Sequence, residues 1–191
     1  MDIGASRLMN IFYLDYNQKN CAEMHVDKHC VKMILETAQL LSTAHRVLDG
    51  VEFIGVSKSG RKAKRWGLPD TRESILYSAT HINHPSSIWV RQSARNYLWL
   101  FDMFVALLNE YTYRYAKVHK CSMLLQPLCI PPNSISYTPD FTEPTPAMPD
   151  QYKVPGNAIQ SYHNYYNGEK QRMFSWKTRP TPNWIINRDN N

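Results

Sequence analysis

Two long stretches of helical hydrophobic periodicity dominate this sequence. The first covers about residues 17–48, where it ends near Asp49 and Gly50, and the second covers about residues 86–117, with Ser86 or Ser87 as its cap. In both, apolar side chains cover far more of the circumference than the ~100° expected of a surface helix. A third, shorter pattern covers about residues 157–177. The sequence therefore predicts an all-α, single-domain fold of about three long helices.

The segments between these helices are predicted to be long and irregular. Residues 57–70 carry five basic residues beside two glycines, which predicts an exposed basic loop. Residues 126–155 contain eight prolines, which remove backbone donors, so an extended segment on the surface is expected there. Residues 1–9 are an extension, a tag remnant or the genuine start, since a second methionine stands at Met9.

Composition sets the broad class of the protein. With 191 residues, of which 43% are hydrophobic, the chain is long enough to bury a core as one domain. The net charge of +6 favours an anionic partner. The four cysteines form no C-x-x-C pair and the start lacks a secretory signal, so reduced thiols in a cytoplasm are expected. No apolar stretch reaches the ~20 residues that a membrane span needs.

A narrow polar stripe runs along the first predicted helix. At 100° per residue, four side chains fall within ~20° of one line, and His29 and Gln39 lie within ~40° of it. The four are His25, Lys32, Glu36 and Thr43. The stripe is either a solvated face with a Lys32–Glu36 pair, or the lining of a cleft that shifts pKa values. In the second case Lys32, Glu36, His25 and His29 are the candidate catalytic residues, with Lys32 as an amine nucleophile.

Basic and aromatic residues elsewhere suggest contact with nucleic acid. Two histidines precede the second helix, whose free amides favour an anion such as phosphate. The basic loop ends in a tryptophan suited to stacking on bases. The candidate phosphate-binding residues are Lys58, Arg61, Lys62, Lys64, Arg65, Trp66, His81, His84 and Arg91. The alternative is that these are ordinary solvated loop residues.

The histidines also allow a metal alternative. His25 and His29 have the i,i+4 spacing of two zinc ligands, but the glutamate of H-E-x-x-H is absent. His45, His81 and His84 could supply a third ligand, although neighbouring lysines oppose a divalent cation. No cofactor is expected under the leading hypothesis, and a divalent metal is expected under this alternative.

Three runs of the chain carry a resemblance. They are "NIFYLDYNQKNCAEMHVDKHCVKMILETAQLLSTAHRVLDG", "THINHPSSIWVRQSARNYLWLFDMFVALLNEYTYRYAKVHK" and "YYNGEKQRMFSWKTRPTPNWI". Together they look like small uncharacterised proteins of tailed phages and other large DNA viruses, over most of the chain from Met9. This resemblance brings no activity, and it implies the cytoplasm of the host cell as the location.

A more remote resemblance is to the phage pyrimidine dimer DNA glycosylases. It rests on the short apolar start, the "HP" before a long helix that ends in E-x-x-x-R-Y, and the aromatic, basic tail. It implies an all-α repair enzyme that binds duplex DNA through a basic face, extrudes a nucleotide and forms a Schiff base. That family uses the α-amine exposed when the initiator methionine is removed, which corresponds to Asn10. Lys32 stands where the family has a glutamate, and Glu36 follows one turn later.

Three functions stay open from the sequence. The leading one is cleavage of N-glycosidic bonds in nucleic acid or nucleotides, in the manner of a DNA glycosylase and abasic-site lyase. The second is a metal-dependent nuclease or phosphohydrolase with histidine ligands. The third is a non-catalytic viral protein that binds nucleic acid, a nucleotide or a host partner. DNA is the expected partner in the leading case, no membrane is expected, and the oligomeric state is open.

Overall fold

The computed structural model describes residues 9–56 and 60–186. Its elements in chain order are α1 (Gln18–Met24), α2 (Asp27–Asp49), β1 (Val51–Val56), β2 (Lys62–Gly67), α3 (Arg72–Ile75), α4 (Pro85–Gln92), α5 (Ala94–Tyr115), α6 (Leu125–Leu128) and α7 (Ala158–Tyr165). The prediction of an all-α fold with three long helices is wrong, because the described residues contain seven α-helices and a two-stranded antiparallel sheet. The predicted extension lies almost wholly outside the described residues.

The first predicted helix is divided into α1 and α2. Asn17 caps α1 with its side chain, as an N-terminal asparagine commonly does, and α1 ends at His25, whose backbone is extended. At this break the Arg114 guanidinium donates to the carbonyl oxygens of Glu23 and His25, each over 2.9 Å. These two carbonyl oxygens accept hydrogen bonds from a distant side chain. The helix can therefore end here without leaving them unpaired.

The second predicted helix is also divided, into α4 and α5. Ser93 lies between them with an extended backbone (φ −152°), and its hydroxyl caps α5 by accepting from the Asn96 N–H over 3.2 Å. The start of α4 is capped by His84, whose Nδ1 accepts from the Ser86 N–H over 3.2 Å. The sequence predicted Ser86 or Ser87 as the cap of this helix. That prediction is wrong, because both lie inside its first turn.

The predicted basic loop contains strand β2, which corrects that prediction. β1 and β2 pair antiparallel from Val51 opposite Gly67 to Val56 opposite Lys62. Residues 57–59, including Lys58, lie outside the described residues. Gly50 leads from α2 directly into β1, and a side chain there would collide with the carbonyl oxygens of Arg46 and Gly67. The hairpin β1–β2 thus lies at the C-terminal end of α2.

The C-terminal half is less helical than the sequence predicts. α7 passes into a π-helical turn at Tyr166–Lys170 and a 3₁₀ turn at Gln171–Met173, so no single helix covers residues 157–177. Residues 129–149 contain neither helix nor strand. They contact the body through Thr142, whose carbonyl oxygen accepts from the Trp89 indole over 2.9 Å.

The core lies between α2, α5, α1 and α4. It is rich in large side chains that solvent does not reach, among them Tyr13, Trp89, Tyr97, Tyr162 and Tyr166. In the described part of the chain, no helix combines the length and the apolar character needed to cross a membrane. Burial of these aromatic surfaces is the main source of stability.

Candidate functional site

A pocket of about 470 Å³ opens beside the middle of α2. Its lining on α2 includes Lys32, Glu36 and Gln39, and three other parts of the chain complete it. The remaining lining residues are Met9, Val31, Leu35, Thr80, His81, His119 and Lys120. We call this the Glu36 pocket. Its volume is in the range of small-molecule sites in proteins.

Glu36 is the most enclosed charged group of this pocket, with 9% of its surface exposed. One carboxylate oxygen lies 2.8 Å from Lys32 Nζ, and the other accepts from the backbone N–H of Asn10 over 3.1 Å. The position of Asn10 is fixed by its own side chain, which donates to the Ala147 carbonyl oxygen over 2.9 Å. A carboxylate is therefore held between an amine and a backbone nitrogen at the wall of a cavity.

Lys32 differs from the expectation of a sheltered amine. Its side chain is 53% exposed, and its ion pair with Glu36 joins neighbouring turns of α2. The pair is thus both the salt bridge that the sequence allowed and part of the lining of the pocket. For Lys32 to act as a nucleophile, it has to leave its contact with Glu36 or transfer a proton to it.

His81 lines the same pocket as Lys32 and Glu36, and its backbone conformation is unusual. Its φ is 48°, in the left-handed region that non-glycine residues seldom adopt. The preceding Thr80 is hydrogen-bonded to α2, because its N–H donates to Thr43 Oγ1 over 3.2 Å. Arg91 stabilises the same turn by donating to the Ile82 carbonyl oxygen over 2.9 Å. Burial lowers the pKa of Arg91, and its contacts make it a support of this turn.

His119 and Lys120 line the pocket but were not predicted as site residues. The Cys121 N–H donates to His119 Nδ1 over 3.2 Å, so the ring proton of neutral His119 lies on Nε2. Burial and the neighbouring Lys120 lower the pKa of His119, which favours the neutral ring. These residues lie about eighty positions from Glu36 in the sequence, and no local pattern connects them to α2.

The structure places His25 and His29 in the core and not in the Glu36 pocket. Solvent does not reach His25, whose Nδ1–H donates to the Cys21 carbonyl oxygen over 2.7 Å. Burial lowers the pKa of His25 to about 4. His29 stacks on Phe12 and bonds the Tyr166 hydroxyl over 2.7 Å, and burial lowers its pKa to about 2. Both are packed, neutral side chains.

The five histidines proposed as metal ligands do not come together. The nitrogens of His45 are occupied, Nδ1 by an Arg72 N–H at 2.9 Å and Nε2 by the Tyr97 hydroxyl at 2.8 Å. His84 Nδ1 is occupied by its helix cap. Among residues 9–56 and 60–186, no group of three or more His, Cys, Asp or Glu side chains is arranged to hold a metal ion.

The basic residues of the predicted loop lie on the hairpin β1–β2. Lys62 and Lys64 are exposed, and Lys64 pairs with Glu52 over 2.8 Å. Trp66 is half-buried, and its carbonyl oxygen accepts from Arg46 over 2.9 Å, which fixes the base of the hairpin to α2. This contact uses only the backbone of Trp66, so the stacking role of its indole stays a prediction from the sequence.

A second pocket, also of about 470 Å³, lies between α1 and α5. Its strongest charges are paired with each other: Arg179 donates to Glu110 over 2.8 Å and lies over the Tyr113 ring at 4.1 Å. These pairs hold the C-terminal segment against α5. The Glu36 pocket differs because it combines an enclosed carboxylate with an exposed amine.

Comparisons with known proteins add no family. Protein-family models, curated proteins and solved structures were each searched, and none of them matches this chain. The viral and glycosylase resemblances therefore stay predictions from the sequence.

Proposed function

We propose that this protein is an enzyme that cleaves N-glycosidic bonds, or the sugar–phosphate chain at abasic sites, in nucleic acid. The observation that carries the proposal is the position of Glu36, which contacts Lys32 Nζ at 2.8 Å and the Asn10 nitrogen at 3.1 Å in the wall of a pocket. An amine beside a carboxylate is what imine chemistry at a sugar aldehyde requires.

The chemistry follows from this pair. The amine attacks C1′ of the sugar, Glu36 accepts the proton that the amine loses, and loss of water, or of the base, leaves an imine. Glu36 returns its proton to the leaving group and then accepts a proton from C2′, and the electrons of that C–H bond expel the 3′ phosphate. Lys120 and His119 Nε2–H can donate to a phosphate of the substrate at the rim of the pocket.

Two nitrogens are candidates for the nucleophile. Lys32 carries a primary amine in the full chain. The Asn10 nitrogen becomes a primary α-amine only in a form of the protein that begins at Asn10, which is the arrangement that the resemblance to the glycosylases implies. In that form the amine would lie next to Glu36 Oε2.

The test is borohydride trapping on a duplex that contains one abasic site, since borohydride reduces the imine to a stable bond. It is made with the full chain and with a form that begins at Asn10. If Lys32 is the nucleophile, Lys32→Ala abolishes the adduct of the full chain and Lys28→Ala, an exposed lysine one turn earlier on α2, does not. If Asn10 is the nucleophile, only the short form gives an adduct. Absence of an adduct with both forms would refute the proposal.

The compartment is part of the same proposal. Cys21, Cys30, Cys121 and Cys129 are all free thiols. Free thiols are typical of a reducing compartment, which supports the cytoplasm as the place of action.

A further inference from the structure

The hairpin β1–β2 exposes apolar side chains on both of its faces, since Val51, Phe53, Ile54 and Val56 are each more than half exposed. Side chains alternate along a strand, so Ile54 and Val56 on β1 share a face with Lys62 and Lys64, which stand opposite them. Glu52 and Trp66 form the third opposite pair of this face, at the base of the hairpin. Ile54 is 63% exposed, Val56 is 69% exposed, and the Lys64 side chain is 62% exposed. We call Ile54, Val56, Lys62 and Lys64 the outer face of the hairpin.

The charge of the hairpin is strongly one-sided. Its described residues include the bases Arg61, Lys62, Lys64 and Arg65, and Glu52 as the one acid. Positive charge in such density attracts a polyanion, and the contribution of each phosphate contact depends on salt. The Lys64–Glu52 pair is exposed, so it competes weakly with phosphate.

The dimensions of the hairpin fit duplex DNA. The major groove is about 12 Å wide and admits a two-stranded β-ribbon. Strands of six residues are about 20 Å long at ~3.3 Å per residue. This length corresponds to about six base pairs at ~3.4 Å each. We propose that the hairpin β1–β2 binds duplex DNA through the major groove, with its outer face against the base edges and flanking phosphates.

The mixture of side chains on the outer face supports the groove over a simple phosphate contact. Ile54 and Val56 are apolar and exposed, and an apolar side chain in the major groove contacts the methyl group of thymine. Lys62 and Lys64 lie directly across from them and reach the acceptor atoms of guanine or the phosphates. Exposed apolar side chains contribute nothing to a purely electrostatic contact with phosphate, so Ile54 and Val56 favour contact with base edges.

The hairpin is hydrogen-bonded to the helix that carries Glu36. Arg46 on α2 donates to the Trp66 carbonyl oxygen over 2.9 Å, at the base of β2. Ten residues of helix separate Arg46 from Glu36, a rise of about 15 Å at ~1.5 Å per residue. A distance of this size corresponds to about four base pairs at ~3.4 Å each, so one duplex can contact both the hairpin and the Glu36 pocket. This last step rests on the proposed function, whereas binding of duplex by the hairpin does not.

Binding is tested with the full chain and a fluorescent 24-base-pair duplex, by anisotropy over a range of salt concentrations. The hairpin variant is Lys62→Gln with Lys64→Gln. The control is Lys117→Gln with Lys153→Gln, which removes the same charge from exposed lysines outside the hairpin and the Glu36 pocket. We expect the hairpin variant to bind at least tenfold more weakly, with a salt slope lower by about 2, and the control to change affinity less than twofold.

The groove is tested by competition with methyl green, which occupies the major groove, and with netropsin, which occupies the minor groove. Methyl green is expected to displace the protein and netropsin is not. Equal loss of affinity in the hairpin and control variants would overturn the proposal. It would also be overturned if the hairpin variant kept its affinity for duplex but lost binding to anionic phosphatidylglycerol vesicles, or lost self-association in sedimentation.

Failure of this proposal can be told apart from failure of the proposed function. Glu36→Gln is expected to bind duplex as the unchanged protein does, while it loses the borohydride adduct. The hairpin variant is expected to lose duplex binding but to keep the adduct on a short single strand with an abasic site. A protein that binds duplex through the hairpin but forms no adduct would retain the binding proposal alone.

Discussion

Glu36 has a structural role that can be measured separately from its proposed catalytic role. Its carboxylate accepts the Asn10 N–H, which solvent does not reach easily, and it also pairs with the half-exposed Lys32. Glu36→Ala leaves a buried N–H unsatisfied, and we expect a loss of about 1–3 kcal/mol of unfolding free energy. Lys32→Ala removes an exposed ion pair and should cost less than about 1 kcal/mol. Urea unfolding measures both, and equal losses would contradict this assignment.

His81 gives a second prediction for a single residue. A left-handed backbone at a non-glycine residue costs roughly 1–2 kcal/mol, and strain of this kind often marks functional sites. We expect His81→Gly to keep or raise thermal stability, and to slow formation of the borohydride adduct because the pocket loses an imidazole that the sequence predicts to contact phosphate. Ala116→Gly is the matched control, since Ala116 has a φ of 51° at the end of α5 and lies outside the pocket. It should raise stability without a change in adduct formation. Equal slowing in both variants would contradict a role for His81.

At the level of elements, Arg114 decides where α1 stops. It is buried, and it contacts Glu110 at 2.6 Å, Asp27 at 2.9 Å and the two carbonyl oxygens at the break. Arg114→Met leaves Glu110 and Asp27 without this partner, and we expect a loss of about 3–5 kcal/mol. Arg95→Met, at an exposed arginine 3.6 Å from Asp140, should change stability little.

Hydrogen exchange locates the effect of Arg114→Met. If Arg114 holds the junction of α1 and α2, the amides of both helices next to His25 lose protection first. Uniform loss over α5 alone would show instead that the arginine stabilises only its own helix.

Local signals in the sequence predicted some element boundaries and missed others. The start near Asn17 and the stop at Asp49 and Gly50 are correct, because a capping side chain and a glycine act on their own neighbours. The break at His25 depends on Arg114, which lies 89 residues away, so no helical periodicity could reveal it. β2 was missed because its sequence, KAKRWG, is basic and lacks the apolar alternation by which a strand is usually recognised.

The candidate site was predictable from the sequence only where it depends on spacing within one helix. Lys32 and Glu36 line the same pocket as His81, which agrees with the stripe on α2, because an intact helix preserves their spacing. His25 and His29 were assigned to that stripe on the assumption of one continuous helix. The break at His25 removes His25 from the register of α2, and His29 turns toward Phe12 and Tyr166. His119 reaches the pocket through chain topology, which the sequence pattern does not contain.

For the whole molecule, buried histidines govern the response to mild acid, and three of them have the pKa values that burial lowers most. Burial lowers the pKa of His25 to about 4, of His29 to about 2 and of His45 to about 4. An unfolded histidine titrates near ~6.5. Between these values the unfolded chain binds protons that the folded chain excludes. The stability from these groups is therefore fully present above pH ~6.5 and is lost as the pH falls.

The pKa values of these histidines predict how steeply stability changes with pH and over which pH range. Each histidine contributes a slope of roughly 1.4 kcal/mol per pH unit, so the three together reach roughly 4 kcal/mol per unit between pH 6 and pH 4.5. Asp27 and Asp49 affect stability only at lower pH. Burial raises the pKa of each carboxyl, but hydrogen bonds outweigh burial and lower both pKa values below their usual range. His25→Asn keeps a donor for the Cys21 carbonyl oxygen but binds no proton in this window, so we expect it to remove about a third of the slope that these three histidines contribute. Urea unfolding at half-unit pH steps measures both slopes, and a stability that stays level from pH 7 to pH 5 would show that these histidines are accessible to protons in the folded protein.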